Sequence, residues 1–261
     1  MEHLEFSLIS VFSEPKHTAL GNVSAVVYTE KEVSRETMQL IANDLNQPAT
    51  TFIYRQDGEW CMRWFAPDAE IQLCGHGTMA ALALFHYGNK DIPTFRYSKG
   101  VVSGFVENGK IFSRLKKGIY TPSVAPEGLA RALGVEIKDY FTTNDKDLVL
   151  IASSKMLKNM DPDFDALKKL KPFGYAVTAA GEDTDFVSRT LVPKVQQLED
   201  HATGSSHTVL VPFWSDRLSK KQLSSKQLSR RGGVFECRLE GDHVLLGGHY
   251  RVLGNGILKN Y

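Results

Sequence analysis

The chain is poor in cysteine and has no long apolar run. Its three cysteines, Cys61, Cys74 and Cys237, are odd in number and form no C-x-x-C pair. This argues against a disulfide framework or a zinc ribbon and favours a reducing, cytoplasmic setting. No stretch approaches the roughly 20 apolar residues of a membrane-spanning helix, and the N-terminus lacks the basic start of a signal peptide. We therefore expect an intracellular protein with no membrane partner.

The chain also lacks an excess of one charge and the usual nucleotide motifs. Lys and Arg number 31 against 30 Asp and Glu, a net charge of +1, so no nucleic-acid partner is indicated. Neither G-x-x-x-x-G-K-[ST] nor G-x-G-x-x-G after a strand occurs, and no H-E-x-x-H or C-x-x-C offers metal ligands. We expect neither a cofactor nor a metal.

The order of predicted elements occurs twice along the 261 residues. Each half contains a helix, two strands, a helix that begins with glycine, and further strands. The glycine-led helices begin at Gly75 and Gly204, and Pro212 should bend the second one. The repetition predicts an internal duplication with a boundary in the Pro- and Gly-rich stretch 116–128. The resulting domains are residues 1–118 and 119–261.

Local patterns predict individual elements of the first half. Strands are predicted over 6–12 and 24–29, and a helix over 34–45 with Ser34 as its N-cap. Asp57–Gly58 and Asn108–Gly109 are typical of two-residue hairpin turns.

The second half contains further predicted elements. They are a strand over 147–153, a helix over 161–170 with Pro162 in its first turn, a hairpin over 232–248 and a final strand pair over 250–259.

The two glycine-led helix starts read C-G-H-G-T and T-G-S-S-H. Free N–H groups of a first helical turn bind anions, and glycine lets a ligand approach the backbone closely. Two such starts facing each other across the domain boundary would bind a small carboxylate from both sides. The alternative is that these glycines only allow close packing of helix on sheet.

Titratable residues at both starts are candidates for proton transfer. His76 suits this role near neutral pH, although a histidine that caps its own turn explains it equally well. Cys74 is either a nucleophile with a depressed pKa or a buried packing residue, and we favour packing. Cys74 and His76 are separated by a single glycine, and this spacing is poorly suited to a nucleophilic Cys–His dyad. Asp200 is placed to orient a substrate amine or an imidazole. The alternative is that Glu199 and Asp200 only complement the helix dipole, as acidic residues near a helix start commonly do.

Five blocks of the sequence carry a family resemblance. They are VFSEPKHTALGNVSAVV, MQLIANDLNQPATTFIY, RWFAPDAEIQLCGHGTMAALALF, LEDHATGSSHTVLVPFW and QLSRRGGVFECRLEGDHVLLGG. In this order they resemble the successive blocks of the phenazine-biosynthesis PhzF-like family, and the resemblance is weakest over 119–183. It implies an α+β fold similar to diaminopimelate epimerase. That fold has two similar domains, each a curled sheet around a central helix, with the site in the cleft between them. The resemblance also implies a homodimer.

The resemblance breaks at the position of the family's catalytic glutamate. That glutamate belongs to an Asn-x-Ser-Glu-Thr-x-Phe block, and the matching stretch Asn46–Phe52 has Pro48 and Ala49 in place of the serine and the glutamate. Alanine cannot accept a proton. His201 stands where the family commonly has proline, and Asp44 lies five residues before Ala49. His201 is either a compensating base or only a tolerated change, and Asp44 is another carboxylate in the region.

The resemblance assigns site residues in both halves. His76 and Asp200 are the expected catalytic residues, and the expected substrate-binding residues are Asn22, Gly75, Gly77, Gly204, Ser205 and Ser206. The first hypothesis is an isomerase that moves a proton on a small carboxylic acid with altered chemistry. The second is a catalytically inactive binding or scaffold protein. The third is a slow racemase that uses Cys74 as one base, disfavoured because the matching second-half position is Thr203.

Overall fold

A computed structural model describes residues 4–15, 18–259 and 261, so the extreme N-terminus and its predicted lack of a signal start lie partly outside the described residues. The chain forms two compact units. Unit 1 contains the residues up to 115 together with those from 247 onward, and unit 2 contains residues 116–246.

Unit 1 combines a mixed sheet with two longer helices. In chain order its elements are β1 (Leu4–Ser13), β2 (Asn22–Tyr28), α1 (Arg35–Leu45), β3 (Ala49–Gln56), β4 (Glu59–Phe65), β5 (Glu70–Ile71), α2 (Gly75–Tyr87), β6 (Phe95–Tyr97), β7 (Gly100–Glu107) and β8 (Lys110–Lys116).

Unit 2 also combines a mixed sheet with helices. Its elements are β9 (Tyr120–Ser123), α3 (Leu129–Leu133), β10 (Ile137–Thr143), β11 (Asp147–Ile151), α4 (Ser154–Asn159), α5 (Phe164–Lys169), β12 (Tyr175–Ala180), β13 (Phe186–Leu191), β14 (Glu199–Asp200), α6 (Gly204–Leu218), β15 (Gln222–Gln227), β16 (Gly233–Glu240) and the first part of β17 (His243–Leu258).

The predicted second domain, residues 119–261, is wrong at its C-terminal end. Strand β17 continues without a break, and from His249 to Leu258 it pairs antiparallel with β1. Because this ladder ties the last residues to the first strand, the segment from 247 belongs to unit 1. The predicted strand pair over 250–259 is the same single strand, and its ladder with β1 skips Leu253 in a register shift between Leu8 and Ile9.

The local predictions of the first half are confirmed. Ser34 caps α1, and its side chain accepts a hydrogen bond from the Thr37 backbone N–H. Asp57–Gly58 joins β3 to β4 and Asn108–Gly109 joins β7 to β8, and all four residues have the positive φ that a tight hairpin turn requires.

The two helices of unit 1 cover opposite faces of β3, whose side chains alternate between them. Met38 and Ile41 of α1 share a core cluster with Phe52. Helix α2 lies on the face of Thr51, because a Cβ added at Gly77 would meet the Thr51 Oγ1 at 2.6 Å. Helix α2 is buried along nearly its whole length and packs against β1, β2, β3 and β7.

The two units repeat one pairing pattern. In unit 1, β1–β2 is antiparallel, β2–β3 parallel, β3–β4 antiparallel, β4–β5 antiparallel, β4–β6 parallel and β6–β7 antiparallel. In unit 2 the same sequence of pairings runs through β10, β11, β12, β13, β14, β15 and β16. Helices α2 and α6 occupy the same place in the two sequences. This common topology agrees with an internal duplication.

Part of the second half differs from the prediction. Helix α5 is shorter than the predicted helix over 161–170, and Pro162 lies before the cap rather than in the first turn. The reason is Asp163, whose side chain accepts a hydrogen bond from the Ala166 N–H at 2.9 Å and so sets the helix start.

Helix α6 continues through Pro212, as a single helix from Gly204 to Leu218. A proline at this position leaves the Thr208 carbonyl without its helical donor. The backbone N–H of Gly118 donates to that carbonyl at 2.9 Å. The missing helical hydrogen bond is thus replaced by one from a different segment of unit 2.

Candidate active site

The first candidate group lies at the start of α2 in unit 1. Cys74 is the N-cap in an extended conformation, and its Sγ accepts a hydrogen bond from the Gly77 N–H at 3.4 Å. The Cys74 carbonyl accepts hydrogen bonds from the N–H and the hydroxyl of Thr78. The thiol is buried, as the packing interpretation expects, but it also caps the helix.

His76 is in direct contact with Cys74. The Cys74 Sγ lies 3.4 Å from Nδ1 and 3.8 Å from Nε2 of the imidazole, and His76 is 6% exposed. The helical turn folds both side chains onto the same helix start, and the expectation that this spacing poorly suits a Cys–His dyad stays a prediction. The capping bond at this turn comes from Cys74 rather than from His76.

Packing alone explains why Gly77 is glycine. An added Cβ would lie 2.6 Å from the Thr51 Oγ1 and 2.7 Å from the Trp64 Cδ1. Since neither contact is tolerable, α2 reaches this close to the sheet only without a side chain here. Gly77 is therefore no independent evidence for a ligand.

Asn22 and Ala49 begin two neighbouring strands of unit 1. Both are completely buried, and the Asn22 Oδ1 accepts a hydrogen bond from the Val23 N–H. Ala49 pairs with Ser24 across the parallel ladder, and the Ser24 hydroxyl donates to the Ala49 carbonyl at 3.0 Å. Asp44, in contrast, is exposed on α1 and accepts a hydrogen bond from the Tyr261 hydroxyl. This engagement at the surface makes Asp44 a poor compensating base.

The second candidate group lies at the start of α6 in unit 2, where Asp200 is held by its neighbours. The Thr203 hydroxyl donates to the Asp200 Oδ2 at 2.8 Å. The Gln227 side chain accepts from the Thr203 N–H and donates to the Asp200 carbonyl. Gln227 is buried and was missed from the sequence, because it lies on β15, remote along the chain from the helix that it supports.

The start of α6 differs from that of α2 in its cap. Thr203 is the N-cap, but it makes no capping hydrogen bond through its side chain. Its hydroxyl is directed to Asp200 instead. The first-turn N–H groups of α6 thus lack the cap that Cys74 gives to α2, and uncapped first-turn N–H groups are suited to an anion.

The two serines that follow Gly204 have different environments. Ser206 is buried, and its hydroxyl lies 3.1 Å from that of Thr190 on the adjacent strand. Ser205 is in contact with a lysine that sequence reasoning missed, and the Lys146 Nζ donates to its Oγ at 3.1 Å. The available signal was the polar stretch NDKD immediately before the buried strand β11.

Two histidines flank the α6 start. His207 is completely buried, with Nδ1 2.8 Å from the Thr203 carbonyl and Nε2 2.9 Å from the Ser225 hydroxyl, and burial lowers its pKa to about 4. His201 is half-buried, and its Nδ1 is buried without a hydrogen-bond partner among the described residues. Burial lowers the pKa of His201, against the opposing effect of Asp200. Both imidazoles are therefore neutral at pH 7.

An arginine–glutamate pair precedes each helix start. Arg63 binds Glu70 through two hydrogen bonds of 2.9 and 3.0 Å, and Arg189 binds Glu199 through two of 2.8 and 2.9 Å. The hydrogen bonds from Arg63 hold the pKa of the Glu70 carboxyl below its usual value. Glu199 is thus part of a repeated bidentate pair that fixes the turn before the helix, while Asp200 next to it points to Thr203.

Two absences concern only the described part of the chain. There, no group of three or more His, Cys, Asp or Glu side chains is arranged to hold a metal ion. Among the same residues, no helix is both long and apolar enough to cross a membrane.

Comparison with known proteins was made for the whole chain. The family model described as phenazine biosynthesis-like protein matches residues 9–103 and 121–258. The chain is 36% identical over 260 residues to an uncharacterized isomerase of Pseudomonas aeruginosa, covering 98% of each chain. A crystal structure of a phenazine biosynthesis protein of the PhzF family from Enterococcus faecalis has a TM-score of 0.91 at 30% identity and covers 99% of this chain and 100% of that chain.

The fold extends to more distant epimerases. A hydroxyproline epimerase from Agrobacterium vitis has a TM-score of 0.65 at 9% identity, over 98% of this chain and 92% of that chain. At this identity the likeness concerns the fold alone, and it agrees with the epimerase-like architecture expected from the sequence.

Proposed function

Because this chain belongs to the phenazine biosynthesis-like protein family, we propose that it is an isomerase, one that moves a proton on a small carboxylic acid. The family membership and the name of the Pseudomonas aeruginosa relative support the isomerase class. The substrate class and the residue roles below are part of the proposal.

The observation that carries the proposal is the contact between Cys74 and His76 at the start of α2. A buried imidazole at a helix N-terminus is disfavoured in its charged form, because the helix dipole repels a cation there. An imidazole is the side chain best suited to accept a proton near neutral pH. The thiol at 3.4 Å holds the ring at the helix start.

In the proposed reaction the His76 imidazole removes a proton from one carbon of the substrate, and the resulting imidazolium returns a proton to another carbon. The electron pair of the broken C–H bond moves into the adjacent π-system, and the first-turn N–H groups of α6 stabilise the negative charge that develops. Asp200, held by Thr203 and Gln227, orients the substrate. Atoms and electrons balance, since substrate and product are isomers.

The chemistry is altered relative to the family's expected glutamate mechanism. Ala49 has no atom that can accept a proton, and its side chain is completely buried. General acid–base catalysis by one group contributes about 10²–10⁴-fold to a rate. We therefore expect slower turnover than a glutamate-containing relative would give.

The second candidate function is binding without turnover, and the buried Ala49 favours it. In that case the uncapped start of α6 still binds a carboxylate, but no group completes the proton transfer. Substitution of Asp200 or His76 distinguishes the two functions. An enzyme then loses reaction rate, whereas a binding protein loses only ligand affinity.

Proton NMR in deuterium oxide tests the proposal. Purified protein is incubated with L-proline, trans-4-hydroxy-L-proline and the dihydro-hydroxyanthranilate of the family reaction, and loss of carbon-bound proton signals is followed. Exchange that disappears in His76→Ala supports the isomerase. Saturable binding of a panel acid without exchange supports the binding protein instead.

A further inference from the structure

Lys146 is a buried lysine beside the start of α6. It is 7% exposed, and it immediately precedes β11. Its Nζ donates to the Asp145 Oδ2 at 2.6 Å and to the Ser205 Oγ at 3.1 Å. Lysine is almost never fully buried unless it is paired, because its ammonium group loses hydration. Among the described residues, the only carboxylate bonded to it belongs to its half-exposed chain neighbour Asp145.

The position of this ammonium group is electrostatically unfavourable on its own. Ser205 is the second residue of α6, so Lys146 reaches the positive end of the helix dipole. Two positive features thus meet at one place, and Thr203 gives the helix start no side-chain cap. An anion at the first turn of α6 interacts favourably with both features.

The internal duplication allows Lys146 to be compared with the residue at the same position in unit 1. Phe65 pairs with Thr50 in unit 1, and Leu191 pairs with Tyr175 in unit 2. When the two ladders are aligned on these pairs, Lys146 occupies the position that Ser24 has in unit 1. The Ser24 hydroxyl bonds the Ala49 carbonyl and the Thr51 hydroxyl, both on the neighbouring strand.

In unit 2 the residue that matches Ala49 is Gly174. The aliphatic part of Lys146 passes beside this glycine, with its Cγ 3.4 Å from where a Cβ would be. Its ammonium group then reaches α6 instead of the neighbouring strand. The Lys146 side chain therefore bonds the start of α6, whereas the Ser24 side chain bonds the neighbouring strand.

We infer that Lys146 binds the carboxylate group of the substrate at the first turn of α6, together with Ser205. This inference rests on the proposed function, because it assigns a substrate group to the same site. Asp145 is the internal competitor that pairs with the ammonium group when no substrate carboxylate is bound. Lys146 is thereby a substrate-binding residue that positions the acid for proton transfer.

Calorimetric titration with a matched pair of probes tests the inference. The probes are 3-hydroxyanthranilate and 2-aminophenol, which is the same ring without the carboxylate. We expect the wild type to bind the acid more tightly, and Lys146→Met to weaken binding of the acid by about 10- to 100-fold without changing binding of the aminophenol. Lys146→Arg should retain most of the preference, and Asp145→Asn should keep or strengthen it.

Lys155→Met is the matched control, since Lys155 is an exposed lysine on α4 of the same unit. The inference is overturned if Lys146→Met retains the preference for the acid, if the wild type shows no such preference, or if the acid does not bind. Failure of the proposed function is distinguishable, because a pure binding protein shows the Lys146-dependent preference without any proton exchange.

Discussion

At the scale of single residues, the candidate catalytic positions stay predictions, and the structure adds the partners that surround them. His76 and Asp200 follow from the motifs around the two helix starts, because their types and spacing are local. The thiol contact of His76 depends on the path of one helical turn, and the support of Asp200 by Gln227 depends on a strand 27 residues further along. Lys146 and Gln227 lie outside every motif, so no local pattern indicated them.

Ala49 is the residue at which the site departs from the family pattern. Ala49→Glu buries a carboxyl in a site with no exposed surface, so we expect a loss of stability of about several kcal/mol. Burial raises the pKa of such a glutamate above its unfolded value. The variant is therefore most stable, relative to the wild type, below about pH 4, and it loses stability as the pH rises through the folded pKa.

Urea denaturation at several pH values measures this effect. Ala49→Gln is the control, because it has a similar size and does not titrate, so its loss of stability relative to the wild type should not vary with pH. An Ala49→Glu variant as stable as the wild type at pH 8 would mean that the site already contains partners for a carboxylate. Proton exchange faster than that of the wild type in this variant would support the isomerase.

His207 makes stability depend on pH. Its folded-state pKa of about 4 lies below the ordinary value of 6.5, so its contribution is fully present above pH 6.5. As the pH falls, the unfolded chain takes up a proton that the folded protein cannot, and stability declines until the folded pKa is reached. We expect this residue to account for a loss on the order of 2 kcal/mol between pH 7 and pH 5.

Chemical denaturation of the wild type and of His207→Gln at both pH values tests this expectation. Glutamine offers both a donor for the Thr203 carbonyl and an acceptor for the Ser225 hydroxyl, but it does not titrate. The variant should show a flatter pH dependence than the wild type. Equal slopes would show that the loss comes from other groups.

At the scale of elements, strong local signals predicted both glycine-led helices and the hairpins. Helix α6 begins at Gly204, as predicted, because glycine and serine mark its start and a long apolar stretch follows. The short helices α3 and α4, of five and six residues, were missed. They are too short to show a hydrophobic period, and their stability comes from the core of unit 2, to which Leu129 and Leu157 belong.

A segment distant in sequence replaces the helical hydrogen bond that is missing at Pro212. The Gly118 N–H supplies the hydrogen bond that Pro212 takes from α6, and a Cβ on Gly118 would lie 2.4 Å from the Val209 Cγ1. Gly118→Ala should therefore destabilise the protein by about 1–3 kcal/mol. Thermal or urea unfolding measures the change.

Gly254→Ala is the matched control, because nothing lies within 4 Å of the added Cβ. It should change stability by less than about 0.5 kcal/mol. If Gly118→Ala is as well tolerated as this control, the rescue of the Thr208 carbonyl contributes little.

At the scale of the whole molecule, element order predicted the duplication although few side chains match between the halves. The common ladder pattern, the repeated arginine–glutamate pairs, and Cys74 and Thr203 as matching N-caps agree with it. The return of β17 to unit 1 was not predictable, because strand pairing between the two ends of the chain leaves no local signal. The duplication supplies the two helix starts on which the proposed function depends.

The central claim of the proposed function is that His76 and Asp200 both act on the substrate. The most direct test is a double-mutant cycle on the solvent-deuterium exchange rate of the acid that exchanges fastest with the wild type, using His76→Gln, Asp200→Asn and the double variant. The account predicts that each single change costs about 10²–10⁴-fold and that the double variant is slower than the slower single variant by less than about tenfold. Losses that multiply, or a single variant that exchanges at the wild-type rate, would contradict it.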